Sequence, residues 1–337
     1  MAKKYVVIDT EFHHIPWPAA QKAKALPDGD LKFGRIVETP DAAYKRVFDI
    51  EGCVRYMEEC GVDMALIGLA TWTDAGLDVC KMINDGQTKL MKDYPGKFVP
   101  LAYVPLLDGQ PAIDELDRAV NDLGLKGVNI TTSLRGVTID DPQFKPFFKK
   151  VSQLNIPVVV HPTVKIPVWG GVKYNMSGSV SREYDIIKAF VEALCGVLPE
   201  FPDVKFLFSH YAGGVPFLLA RIKSWYVPRG SSRIPEERKT TPKTLREFKD
   251  YGLEKDFDQL LDRFYFNMAG TGGWITALKQ ALMVLKPERI CFGSDYPWEM
   301  ARASDLKAYI NGVKRLDIPE KDKVNILGGN VLRLFKV

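Results

Sequence analysis

The stretch Ile8-Asp9-Thr10-Glu11-Phe12-His13-His14 holds two of the four histidines of this chain. Glu11 stands two positions before His13. Alternate residues of a β-strand point the same way, about 6.7 Å apart. A carboxylate oxygen and an imidazole nitrogen at this spacing therefore aim at one point. His14 faces the opposite side and reads as a loop residue or an outer partner. Glu-x-His is only half of a metal site, so the remainder must come from elsewhere in the chain. His161, His210 and Asp295 supply it, each following a short apolar run. Glu11, His13, His161 and Asp295 make a set of two imidazoles and two carboxylates. With positions left open for water or substrate, such a set suits Zn²⁺, Mn²⁺, Fe²⁺ or Co²⁺, and its two carboxylates tilt it toward Mn²⁺.

The elements that would position these groups follow a simple alternation. Short apolar runs occur at 5–8, 64–69, 98–104, 126–130, 157–160, 205–209, 264–267 and 290–294. Each is too short for a typical helix, and most are rich in β-branched or aromatic residues. Amphipathic stretches lie between them, at 49–62 with Gly61 as a stop, at 114–127, at 144–158 and at 276–290. Strands that are apolar throughout and alternate with helices predict a parallel sheet covered on both faces. Eight such units predict an α/β fold of the closed (β/α)₈ barrel type, in one domain over residues 1–337. Such a barrel takes about 250 residues, so insertions are expected at 14–48 and 223–262. The open doubly wound sheet fits less well, because no glycine-rich phosphate loop follows the first run.

Active groups of a parallel barrel gather at the C-terminal ends of its strands. Glu11 and His13 follow the first run, His161 the fifth, His210 the sixth and Asp295 the eighth. All four histidines thus lie at or beside one rim, which random placement would rarely achieve.

Composition narrows the class. The chain has 337 residues, 46% hydrophobic and 26% charged, with a net charge of +4. It carries no basic block or arginine-rich arm, so no nucleic-acid partner is expected. No run reaches the 18 or so apolar residues of a membrane span, and the N-terminus lacks a signal-peptide core. The five cysteines are odd in number and none is paired at Cys-x-x-Cys spacing. A reducing, cytoplasmic setting is the expectation.

The segments "IDTEFHH", "NIPVVVHP", "FSHYAGGVPFLLARI" and "CFGSDYP" resemble the amidohydrolase superfamily. Within it the chain is similar to the metal-dependent decarboxylases, the branch of aminocarboxymuconate-semialdehyde, resorcylate and carboxyvanillate decarboxylases. The resemblance implies that Glu11, His13, His161 and Asp295 bind the metal and that His210 is the acid/base beside it. It implies one metal, because "NITTS" (129–133) offers no lysine to bridge a second. Glu11 follows the aromatic-acid enzymes, whereas "HYAGG" (210–214) follows the aminocarboxymuconate pattern.

Either decarboxylation or hydrolysis of a lactone, ester or related ring-cleavage product is open to these parts. A divalent ion polarises substrate oxygens and acidifies water. His210, with an ordinary pKa of about 6.5, exchanges protons at neutral pH, and Asp295 can share that work. A small carboxylic-acid substrate calls for cations. Arg46 is one candidate, and Arg221 and Arg229 are others, for a subunit interface or a neighbour's site in a homodimer or homotetramer. Trp298 is the candidate aromatic wall.

Overall fold

A computed structural model describes residues 5–29, 31–163, 173–226 and 253–337. Eight parallel strands pair in chain order: β1 (Ile8–Phe12), β2 (Met64–Ile67), β3 (Phe98–Tyr103), β4 (Gly127–Thr131), β5 (Val158–His161), β6 (Phe206–Phe208), β7 (Phe264–Asn267) and β8 (Ile290–Cys291). The segment after β8 returns to β1. Thr10 donates its backbone N–H to Phe292 O (2.9 Å), and His13 donates to Tyr296 O (3.0 Å). A parallel bridge between Phe12 and Tyr296 completes the contact. The sheet is thereby closed into the expected (β/α)₈ barrel.

The first strand starts three residues later than the apolar run "YVVI" suggests. Its pairing with β2 shifts between Asp9 and Phe12, so β1 carries an irregularity of the β-bulge kind, which re-aims side chains. The eighth strand is shorter than its run, ending at Cys291 rather than 294. The expected helix over 276–290 is regular only across Ile275–Ala281.

Helices follow the strands: α1 (Ile50–Cys60), α2 (Leu77–Asp93), α3 (Gln110–Asn121), α4 (Lys145–Leu154), α5 (Arg182–Glu192), α6 (His210–Tyr226), α7 (Ile275–Ala281) and α8 (Ala303–Lys314). Gly61, at φ 77°, ends α1 in the left-handed conformation expected of it. Inside the barrel, Ile8, Leu66, Leu101, Val159, Leu207, Tyr265 and Cys291 form one cluster, closed below by Val331, Leu334 and Phe335. A larger core lies between strands and helices, with four phenylalanines of β6, β7 and α5 (Phe206, Phe208, Phe264, Phe190) in mutual contact. The 14–48 insertion is ordered as three short helices with its own apolar cluster against α2 and the buried Trp72. Most of the 223–262 insertion lies outside the described residues; its end forms a helix over Leu253–Leu261. All five cysteines are buried and none forms a disulfide. Among the described residues no helix is long and apolar enough to cross a membrane.

The closing segment demands one glycine. Phe292 donates to Ile326 O (2.9 Å), which brings Asn325–Gly329 against β1. A Cβ on Gly328 would lie 2.4 Å from Val6 O. Gly328→Ala is expected to destabilise the fold by about 2 kcal/mol through overpacking. Gly29→Ala, at an exposed glycine with nothing within 4 Å of an added Cβ, serves as the control. Equal denaturation midpoints for the two variants would contradict this account of barrel closure.

Candidate active site at the barrel mouth

The irregular β1 places a buried carboxylate among three imidazoles. The Glu11 N–H donates to Asp9 Oδ1 (3.1 Å). Asp9 in turn accepts from the Ser294 N–H (3.0 Å) and from the Ser294 hydroxyl, stapling β1 to the chain beyond β8. Burial pushes the Asp9 carboxyl up to about 7, against the lowering effect of Ser294. Glu11 is 3% exposed. Its Oε2 accepts from Asn267 Nδ2. Its Oε1 lies 3.4 Å from His210 Nε2 and 3.6 Å from His161 Nε2. Burial alone would raise this carboxyl, but His210, His161 and His13 hold it below the usual carboxylate range.

All three rings present Nε2 to the centre and occupy Nδ1 with an acceptor. His13 Nδ1 faces the Gly68 carbonyl, His161 Nδ1 faces Pro162 O (2.8 Å), and His210 Nδ1 faces Glu183 Oε1 (2.8 Å). An acceptor at Nδ1 selects the tautomer whose Nε2 lone pair is free for a metal or a proton. Burial lowers His161 to about 4, outweighing the pull of Glu11, so its imidazole is neutral near pH 7. Burial also opposes charging of His13, but the Asp295 carboxylate, with Oδ1 3.0 Å from Nε2, prevails and raises it. In His210, Glu11 and Glu183 likewise overcome burial.

These residues fit a cation. Bonds of about 2.1 Å put adjacent ligand atoms roughly 3.0–3.4 Å apart, close to the 3.0, 3.4 and 3.6 Å found here. The ligand atoms of Glu11, His13 and His161 all lie within 4.8 Å of one another, as do those of Glu11, His210 and Asp295. Glu11 Oε1 and His210 Nε2 are buried and make no hydrogen bond. A native protein rarely leaves such atoms without a use.

Backbone conformation aims two of these side chains. His210, Tyr211 and Ala212 have φ of 54°, 51° and 53°, and Gly213 and Gly214 continue the left-handed turn. Residues with a Cβ pay roughly 1–2 kcal/mol each for this conformation. Two contacts hold the turn in place. Asn267 Oδ1 accepts from the His210 N–H (3.0 Å), and Gly270 packs so closely that a Cβ there would lie 2.3 Å from the His210 ring. Asp295 also has φ 54°.

Trp298 is 41% exposed and meets the His13 ring edge-on at 5.1 Å and Tyr44 at 5.4 Å. It forms a wall shared with the 14–48 insertion. Arg46 is exposed on the same insertion, with Nη1 3.5 Å from Ala42 O of its own helix. Arg221 is exposed on α6. No described contact joins either arginine to the cluster, and Arg229 lies outside the described residues. Two participants escaped the sequence reading. Asn267, at the end of β7, had a rim position as its signal. Glu183, in the first turn of α5, had none.

Against known proteins, the family model described as Amidohydrolase matches residues 8–337. The 2-amino-3-carboxymuconate-6-semialdehyde decarboxylase of Dictyostelium discoideum is 24% identical, covering 93% of this chain and 82% of that protein. The gamma-resorcylate decarboxylase of a Rhizobium species is 26% identical, covering 87% and 89%. Among solved structures, a 5-carboxyvanillate decarboxylase of Novosphingobium aromaticivorans with bound manganese superposes with a TM-score of 0.80 at 18% identity, covering 100% and 99%. That level of identity speaks for the fold.

His14 anchors the insertion beside this cluster. It is buried and donates Nδ1–H to Val47 O (2.7 Å), and burial lowers its pKa from 6.5 to about 4. Its contribution to stability is fully present above pH 6.5 and is lost as the pH falls toward 4, by up to about 3 kcal/mol. Denaturation midpoints between pH 6.5 and 4.5 should therefore fall more steeply for the wild type than for His14→Asn. Parallel profiles would show that this imidazole does not titrate as its burial requires.

Proposed function

This chain belongs to the amidohydrolase family, and from that premise we propose that it is a metal-dependent, non-oxidative decarboxylase of an aromatic or unsaturated, muconate-like carboxylic acid. The observation that carries the proposal is the convergence of Glu11, His13, His161, Asp295 and His210 at one barrel mouth. The decarboxylase names of the two curated relatives above support carboxylate chemistry over hydrolysis.

Glu11, His13, His161 and Asp295 would hold one divalent ion, Mn²⁺ or Zn²⁺. When bound, it supplies a Lewis acid for substrate oxygens. The chain's own groups then handle the proton. His210 directs Nε2 at the same point. Its proton goes to the carbon that bears the carboxylate, while the carbon–carbon bond breaks and CO₂ departs. Asp295, within reach of His13 Nε2, shares the proton traffic. Trp298 offers a flat face for a planar substrate. Arg46, Arg221 and Arg229 are the proposed cations for an anionic ligand, with Arg221 and Arg229 proposed to serve a subunit interface or a neighbouring copy in a homodimer or homotetramer. A cytoplasmic setting completes the reading.

The test is CO₂ release by the metal-loaded protein from a panel of aromatic and muconate-like acids, run beside a panel of lactones and esters. Turnover of lactones with no CO₂ from any acid would replace this proposal with a hydrolase. Two variants examine the assignments. His161→Ala should lose its metal by elemental analysis. His210→Ala should keep its metal and lose at least about 100-fold in turnover. Retained metal in the first, or lost metal in the second, would reverse those roles.

A further inference from the structure

We propose that Glu183 is a positioning residue: across the β6–α6 turn it holds the His210 imidazole through Nδ1 so that Nε2 faces Glu11, a role that rests on reading His210 as the acid of the proposed reaction.

An imidazole is oriented by what its two nitrogens meet. His210 Nδ1 meets one partner, Glu183 Oε1 at 2.8 Å. Its other nitrogen, Nε2, has no hydrogen bond and lies 3.4 Å from Glu11 Oε1. The segment that follows, Tyr211-Ala212-Gly213-Gly214-Val215-Pro216, contains no acid that could do this locally. The carboxylate comes instead from α5, 27 residues earlier.

The packing is built around that arrangement. A Cβ on Gly213 would lie 2.1 Å from the Glu183 carbonyl oxygen. The bare turn therefore lets the first turn of α5 come close enough for its side chain to reach the ring. Gly270 covers the ring and Asn267 holds its backbone. Glu183 is thus one of three restraints on His210 and the one that touches its titrating atoms. A rival account makes Glu183 only an acid in the first turn of a helix, worth a few tenths of a kcal/mol to α5. That account predicts no effect on the imidazole.

The experiment uses the full chain loaded with Zn²⁺, which is diamagnetic, with ¹⁵N-labelled histidine. Only four imidazoles then report, and His210→Ala identifies one of them. In the wild type the His210 Nδ1 signal should show a proton hydrogen-bonded to a carboxylate, leaving Nε2 for the proton that the acid donates. Glu183→Ala should shift that Nδ1 signal away from its hydrogen-bonded position, with unchanged metal content. Glu183→Gln, whose amide oxygen still accepts from Nδ1–H, should keep the wild-type pattern. Turnover should follow the same order. In Glu183→Ala, kcat falls about 100-fold with KM unchanged. Formate restores part of it, because the Glu183 side chain is 25% exposed and its place is reachable from solvent. An unaltered His210 Nδ1 signal in Glu183→Ala would overturn the proposal. So would a loss of activity that neither glutamine nor formate repairs. Should the wild type release CO₂ from no acid, the reading of the reaction fails, and the ¹⁵N signals alone still decide the role of Glu183.

Discussion

A carboxylate buried at the mouth of the barrel has to be compensated, and the compensation of Glu11 organises everything near it. Taking an ionised carboxyl out of water costs several kcal/mol unless charge and hydrogen bonds replace the lost hydration. Here Asn267 takes one oxygen, and the imidazoles of His161 and His210 face the other at 3.6 and 3.4 Å. The irregularity in β1 turns the Glu11 side chain toward this group. The strut from Asp9 to Ser294 keeps that irregular strand joined to the segment after β8, its neighbour at the closure of the barrel. Closure of the sheet and assembly of the site are consequently one event.

The same economy governs the histidines. Each ring spends Nδ1 on an acceptor: His13 on a carbonyl after β2, His161 on the carbonyl of the next residue, and His210 on a carboxylate of α5. Each keeps Nε2 for the centre. Rotation of any ring would break its Nδ1 hydrogen bond, so the three nitrogens stay pointed at one place. The left-handed turn at 210–214 carries conformational strain for the same end. Its cost is tolerated because Asn267 and the absence of side chains at Gly213 and Gly270 leave the chain no better arrangement.

The 14–48 insertion gives the site a side wall. Its short helices bury Ala19, Ala20, Ala23, Phe33 and Val47 against α2 and Trp72. Tyr44 meets Trp298, which meets His13. Packing in the insertion is thereby transmitted to the first residue beyond β1. His14 ties the two together through Val47.

By itself, the sequence determined the barrel and the polar residues gathered at its rim. Eight apolar runs of strand length separated by helical stretches point to a parallel sheet buried on both faces, and their number fits a closed barrel. The residues at the run ends, Glu11, His13, His161, His210 and Asp295, were legible because a barrel gathers those ends at one rim. Tertiary structure alone decided which neighbours complete the site. Asn267 sat at a legible place, but its bonds to Glu11 and His210 depend on the turns around it. Glu183 lies on a helix, 27 residues from the ring it touches. Its reach depends on how closely α5 approaches the β6–α6 turn. That distance is set by the packing of two helices and one missing Cβ, which no local pattern of residues encodes.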